Sequence, residues 1–348
     1  MTSRLAVVLF NLGGPDSLEA VRPFLFNLFN DPAIIGAPGL IRRALAWFIS
    51  TRRAPVAREI YAKIGGRSPL LELTEAQGQA LQTRLSGTAA GEVKVFIAMR
   101  YWHPLTEETA AAVAAWGPDR IVLLPLYPQY STTTTASSLS AWKRAAAALR
   151  LTAPSVSICC YPTEEGMIQA QAGLLARALA EAGETPVRVL FSAHGLPKKV
   201  IDGGDPYQHQ VEMTAKAIVK TLDRPDLDWR VCYQSRVGPL EWIGPSTEAE
   251  IHRAGTEGKG LVLLPVAFVS EHSETLVELD MEYAHLASEA GVPLYLRVGA
   301  LGTDALFIGA LADLVNRALI AGVDPCSERG GRLCPGTLVG CGQSGGRA

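Results

Sequence analysis

Two histidines, each just past an apolar run, and a row of carboxylates are the residues of this chain best suited to chemistry. The run 261–269 gives way to Ser270-Glu271-His272-Ser273-Glu274-Thr275-Leu276, and Glu278 and Glu282 follow. Glu274, Glu278 and Glu282 recur every four residues. On a helix they stack on one face, where like charges oppose helix formation by about 0.2–0.5 kcal/mol per pair. Protons or a metal ion would offset this, since hard cations take oxygen ligands and imidazole adds affinity for iron and its neighbours. A solvated acidic face is the plainer alternative for such a spacing. The second histidine weighs against it. Val189-Leu190-Phe191-Ser192-Ala193-His194-Gly195-Leu196-Pro197 reads as a strand that breaks at a His-Gly turn. That puts His194 outside a strand's carboxyl end, where open α/β sheets bind ligands.

The elements that must position these residues recur along the chain. In the first half, apolar strands precede Asn11-Leu12-Gly13-Gly14-Pro15 and Arg100-Tyr101-Trp102-His103-Pro104, and a third runs Ile121-Val122-Leu123-Leu124-Pro125. The second half repeats the plan before His194-Gly195-Leu196-Pro197 and before Gln234-Ser235-Arg236, and Val262-Leu263-Leu264-Pro265 reproduces residues 122–125. Helical stretches lie between, among them 74–85 with a Thr74/Gln77 capping-box pattern, 106–115 and 142–149. Strands alternating with helices predict parallel sheets with right-handed crossovers. The expected fold is two similar Rossmann-like α/β domains facing across a cleft, the first over 1–165 and the second over 166–320, with a tail at 321–348. Loops after corresponding strands would converge on that cleft. They include 127–135, whose hydroxyls suit either a helix cap or an anion.

Composition narrows the class. The chain has 348 residues, 48% hydrophobic and 19% charged, which excludes disorder and suits sheets covered on both faces. A net charge of −2 supplies no basic field for nucleic acid, and neither a phosphate-binding P-loop nor a GxGxxG fingerprint occurs. The apolar start 5–10 is too short for a secretory signal, and no stretch approaches the roughly 20 apolar residues of a spanning helix. The cytoplasm is the expected compartment.

Seven blocks carry a resemblance over roughly residues 5–320: LFNLGGP at 9–15, RRAPVAREIYAKIGGRSP at 52–69, MRYWHPLTEE at 99–108, YPQYSTTTTASS at 127–138, FSAHGLP at 191–197, YQSRVGPLEWIGPSTE at 233–248 and FVSEHSETLVELDMEY at 268–283. In these the chain resembles the ferrochelatases, lyases that insert Fe²⁺ into a porphyrin. The resemblance implies the chelatase-type version of the two-domain fold and, as substrates, Fe²⁺ and protoporphyrin IX. It matches His194 to the family's active-site histidine, Glu274 to its partner carboxylate across the porphyrin plane, and His272, Glu278 and Glu282 to the acidic ladder. It also makes His194 and Glu274 the candidate ligands of the incoming metal, and it matches Arg100, Tyr61, Ser68 and Tyr130 to positions that line the porphyrin pocket or hold its propionates. The chemistry accounts for these residue types independently. Metallation removes two pyrrole N–H protons, for which imidazole and carboxylate are natural bases. Glu278 and Glu282 could pass protons or iron along the helix. The alternatives are a coproporphyrin ferrochelatase, a cobalt chelatase of a sirohydrochlorin-type ring, and a non-catalytic tetrapyrrole or metal carrier. A homodimer is left open.

Two further segments stand out. Residues 24–53 mix Phe24, Phe26, Phe29, Leu40, Ile41, Trp47 and Phe48 with Arg42, Arg43, Arg52 and Arg53, which suits either a core helix or an apolar lip resting peripherally on the inner face of a membrane. Three of six cysteines, Cys326, Cys334 and Cys341, fall in the Gly/Pro-rich tail. Free thiols are the plain reading in the cytoplasm. Some ferrochelatases, however, hold a [2Fe–2S] cluster with three ligands in a C-terminal extension. The resemblance then implies Cys326, Cys334 and Cys341, with Cys159 or Cys160 as the fourth; zinc is the other four-cysteine option.

Overall fold

The computed structural model describes residues 3–87, 91–236, 238 and 240–343. Val237 and Pro239 of the 233–248 block, and positions 344–348 of the tail, lie outside the described residues. Among the described residues are nine strands: β1 (Ser3–Asn11), β2 (Gly91–Met99), β3 (Arg120–Pro125), β4 (Ser155–Cys160), β5 (Val187–His194), β6 (Trp229–Gln234), β7 (Gly260–Pro265), β8 (Tyr295–Arg297) and β9 (Cys326–Ser327). They form two parallel sheets with helices between successive strands, ordered β2-β1-β3-β4-β9 and β6-β5-β7-β8.

The two orders share one plan, in which the first strand of each half lies between the second and the third. Equivalent registers repeat as well: Phe10 pairs with Pro125 where β1 meets β3, and Ser192 with Pro265 where β5 meets β7. The duplication expected from the sequence is therefore present in the topology. Ala6 to Leu9 and Leu261 to Leu263 are fully buried at every successive position. Such strands cannot alternate, because a parallel sheet covered by helices has no wet face.

The chain divides into two compact units. One comprises the described residues of Met1–Cys160, Leu311–Leu333 and Gly342–Ala348, and the other Tyr161–Ala310 and Cys334–Cys341. This partition differs from the one drawn on the sequence. The first boundary falls five residues earlier than 165, and the segment 321–348 is shared between the units instead of forming a separate tail. Strand β9 explains part of this, since it adds to β4 and carries Cys326 into the first sheet.

One helix start also differs. The helix expected at Thr74 begins a turn earlier and spans Leu70–Ser86. Thr74 is an interior residue of it: the Thr74 hydroxyl donates to the Leu70 carbonyl at 2.6 Å and accepts from Asn11 Nδ2 at 3.0 Å. The buried hydroxyl holds the Asn11 loop at the end of β1 and caps nothing.

Candidate active site

In the second unit, β5 delivers His194 at its carboxyl end. The turn that follows is steric in origin: a Cβ on Gly195 would lie 2.9 Å from the Gln234 carbonyl and 3.3 Å from the Trp242 ring. With glycine there, the Gly195 N–H donates to Gln234 O at 2.8 Å, which locks the ends of β5 and β6 together.

Facing His194 is a π-helix, Glu274–Glu282, followed by an α-helix over Tyr283–Glu289. The α-helical stacking expected from the four-residue spacing is not what forms. Bonds from i to i+5 widen the turn, a geometry frequent at functional sites. The three carboxylates are then unequal, for Glu274 and Glu278 are half-buried whereas Glu282 is exposed.

His194 Nδ1 donates to Glu274 Oε2 at 2.9 Å, so the two side chains touch directly here and are not separated across a ring as the resemblance implied; Nε2 is left for a substrate. Ser235, held at φ +60°, sends its backbone N–H to Glu278 Oε1 at 2.8 Å and its hydroxyl to Glu278 Oε2 at 2.5 Å; the same hydroxyl is 3.3 Å from Glu274 Oε2. Gln234 Nε2 also donates to Glu278 Oε2 at 3.2 Å, with its amide oriented by the Ser192 hydroxyl, which donates to Gln234 Oε1 at 2.8 Å. Tyr283 Oη lies 3.0 Å from Glu278 Oε1 and 3.1 Å from Glu248 Oε1. His272 lies against Phe268 with ring centroids 4.5 Å apart and the planes tilted by 57°, and its Nδ1 is buried without a hydrogen-bond partner.

These contacts sort the protons. Burial pulls the His194 imidazole down, but the charges of Glu274 and Glu278 outweigh it and its pKa lies above the ordinary value. Burial pushes Glu274 up, and His194, His272 and Ser235 overcome it, so this carboxyl lies well below the usual range. Glu278 goes the other way: burial and the charge of Glu274 raise it despite Ser235 and Tyr283. Burial depresses His272 and favours its neutral form. The site therefore offers an ion pair, a neutral imidazole and a carboxyl disposed to hold a proton, which is equipment for proton transfer.

The first unit carries a separate polar cluster that the sequence reading missed. Asp31, which is buried, accepts from Arg100 Nη2 at 2.7 Å, from Tyr101 Oη at 2.8 Å, from the Ser137 hydroxyl and from the Ala33 N–H. Burial raises this carboxyl, but those donors bring it below its ordinary range. Arg100 is thereby fixed, with its Nε on Ser137 Oγ at 2.7 Å. Tyr61 packs in the cluster that holds Tyr101, beside Val21, Phe24 and Ala54. Ser68 closes on Gly14, where any Cβ would collide with it, and its N–H donates to Pro15 O at 2.8 Å. Tyr130 is grouped elsewhere, against Cys159 and Cys160. A lone acid between Phe29 and Ile34 was the available signal for Asp31.

All six cysteines are buried. Cys159 Sγ is 3.5 Å from Cys160 Sγ, and Cys326, on the neighbouring strand, has its thiol pushed up to about 12 by burial with Cys159 beside it. Cys334 belongs to the second unit, where Gln210 Nε2 donates to its Sγ at 3.1 Å; Cys341 lies in the same unit. Among the described residues, no three His, Cys, Asp or Glu side chains are gathered to hold a metal ion.

The helix Gly39–Ala62 buries only Ala46, Ser50, Ala54 and Tyr61. Leu40 is 88% exposed, and Ile41, Trp47 and Phe48 are 56% exposed. Among the described residues no helix is long and apolar enough to cross a membrane.

Comparison with known proteins decides the family, because the ferrochelatase family model matches residues 4–319. The chain belongs to the ferrochelatase family. It is 61% identical over 318 residues to a ferrochelatase of Caulobacter vibrioides, covering 91% of this chain and 90% of that one. Ferrochelatases of Phenylobacterium zucineum (56% identity, 97% of each chain) and Rickettsia bellii (47%, covering 97% of this chain and 94% of that one) are also similar. Among solved structures, the sirohydrochlorin chelatase SirB of Bacillus subtilis with cobalt shares the fold at a TM-score of 0.53 and 10% identity, over 92% of this chain and 97% of that one. SirB with Fe³⁺ gives 0.52 and 12%, over 91% and 95%. The protein is thus a metal chelatase enzyme of this family, with the type II chelatase fold.

Proposed function

We propose that this ferrochelatase-family enzyme inserts Fe²⁺ into protoporphyrin IX to give protohaem, releasing two protons. The observation that carries the reading is the His194–Glu274 pair at the end of β5, backed by Glu278, in a chain of this family. His194, when neutral, takes a pyrrole proton at Nε2, and Glu274 at Nδ1 stabilises the imidazolium that results. Glu274 also offers the carboxylate oxygen that a dehydrating Fe²⁺ ion prefers. His272, kept neutral by burial, is proposed as the second base. Arg100, braced by Asp31, suits a propionate, since a guanidinium held in place binds a carboxylate at less entropic cost. Tyr61, Ser68 and Tyr130 are proposed with it as pocket residues.

The exposed apolar row Leu40, Ile41, Trp47 and Phe48, with Arg43 and Arg52 exposed on the same helix, supports peripheral binding to the inner membrane surface, from which a poorly soluble porphyrin could be drawn. A [2Fe–2S] cluster is the proposed cofactor of the cysteines. The buried thiols are the donor type it needs. Cys326, Cys334 and Cys341 with Cys159 or Cys160 would hold it, and Cys159 already neighbours Cys326. An anaerobically purified protein that is colourless and iron-free would overturn the cluster.

The test of function is anaerobic Fe²⁺ insertion followed by absorbance, with protoporphyrin IX and coproporphyrin III offered in parallel. Turnover of protoporphyrin is expected. Turnover of coproporphyrin alone would change the substrate, and none with either would sink the reading.

A further inference from the structure

Tyr283 has a single hydroxyl hydrogen, yet its oxygen lies within hydrogen-bond distance of two carboxylates, 3.0 Å from Glu278 and 3.1 Å from Glu248. Two ionised carboxylates cannot both be satisfied by one hydrogen. Both contacts are hydrogen bonds only when one of the two carboxyls carries a proton. Followed inward, the same chain of contacts runs from Glu278 through the Ser235 hydroxyl (2.5 Å) to Glu274 (3.3 Å) and so to His194 (2.9 Å). Followed outward, it leaves the π-helix. Glu248 lies in the helix Thr247–Thr256 and is only half-buried, whereas Tyr283 is 4% exposed.

We propose that protons leave the site through Tyr283 to Glu248, and not along the helix to Glu282. This rests on the metal-insertion reading above. In each passage Glu278, protonated on Oε1, gives that proton to Tyr283 Oη and takes a replacement on Oε2 from the Ser235 hydroxyl, which is itself reprotonated from Glu274 Oε2. The Tyr283 hydroxyl hydrogen passes at the same time to Glu248 Oε1, and the Glu248 carboxylic acid then releases its proton to water. No group is oxidised or reduced, Tyr283 ends neutral as it began, and no tyrosinate forms. That matters, because burial above all pushes the Tyr283 pKa far above its ordinary value. A hydroxyl that cannot ionise can still pass a proton by accepting one and donating another. The raised pKa of Glu278 fits the role of its proton donor.

The π-helix is what creates the branch. Tyr283 is five residues beyond Glu278, and the Tyr283 N–H bonds to the Glu278 carbonyl, so the wide turn sets the phenol beside that carboxyl. Tyr283 and Glu248 act through Glu278 and touch no substrate in this scheme.

The experiment has two parts. Difference infrared spectroscopy of the resting protein without porphyrin should reveal a carboxylic-acid band near neutral pH that Glu278→Gln removes and Tyr283→Phe shifts. Absence of that band would overturn the proposal whatever the protein's substrate. In steady-state Fe²⁺ insertion, Tyr283→Phe and Glu248→Ala should lower kcat about 10-fold or more, with the porphyrin KM little changed. A small buffer base such as imidazole or formate should restore the rate of Glu248→Ala, and Glu248→Asp should retain most of it. A purely structural role for Glu248 would not respond to buffer. Full rates in both variants, or a loss confined to Glu282→Gln, would overturn the route. If wild-type protein fails to metallate porphyrin while the infrared band behaves as described, the functional reading fails and the proton arrangement stands.

Discussion

His194 and Glu274 form one unit electrostatically, and the consequences of that pairing are measurable. His194→Ala is expected to abolish insertion while porphyrin still binds; binding by fluorescence quenching beside a turnover assay checks both halves. As a base, His194 must be neutral, and its pKa lies above the ordinary 6.5, so kcat/KM should fall as pH drops through that raised value. Glu274→Gln removes the charge that chiefly raises it and should lower the His194 pKa; an NMR titration of His194 that does not move would break the electrostatic pairing. In the other unit, Asp31→Asn loosens Arg100, and the expected result is a higher porphyrin KM with kcat nearly intact. The proposed active pair stood out in the sequence because a histidine directly after an apolar run is a rare pattern in a chain with six histidines. Its partners did not. Asp31, Ser235, Tyr283 and Glu248 are ordinary residue types whose roles come from contacts made across 5 to 106 positions of sequence.

At the scale of elements, strands and helices followed their periodicity, and the departures have local causes. Thr74 resembled a cap because its hydroxyl does bond backbone, but to the turn behind it. The π-helix was illegible, since a four-residue spacing of Glu274, Glu278 and Glu282 is the same text in either kind of helix, and only the bonds to Ser235 and Tyr283 tell them apart. Its entrance is held by Arg297 on β8, which pairs with Glu271 at 2.5 Å and, through two nitrogens, with Asp280 at 2.5 and 2.6 Å. Arg297→Met would strand both acids. The expected destabilisation is about 2–3 kcal/mol, at or below the lower end for broken buried pairs because Asp280 is a third exposed. Urea denaturation reads it directly, and an unchanged midpoint would show that the staple is dispensable.

For the whole molecule, the duplication was visible in the sequence as recurring apolar runs before Gly- and Pro-bearing turns, whereas the strand orders β2-β1-β3-β4 and β6-β5-β7-β8 come from the structure. The sharing of the tail between the units was not visible, because β9 is only two residues long and carries no periodic signal. The proposed membrane attachment is tested at this scale. Co-sedimentation with anionic vesicles at low salt should carry the protein down, and Trp47→Ser with Phe48→Ser should leave it in the supernatant. The helix behind that proposal, Gly39–Ala62, buries only a seam of Ala46, Ser50 and Ala54 with Tyr61 at its end. Small side chains permit close approach but remove little apolar area from water, so this helix contributes a small share of its unit's folding free energy. It can open while the sheet behind it stays intact. Its amides should exchange with deuterium well before those of β1, and trypsin should cut first at Arg43, Arg52 or Arg53. A lipid surface that covers the apolar row would slow both, so protection from trypsin would report on which molecules are docked.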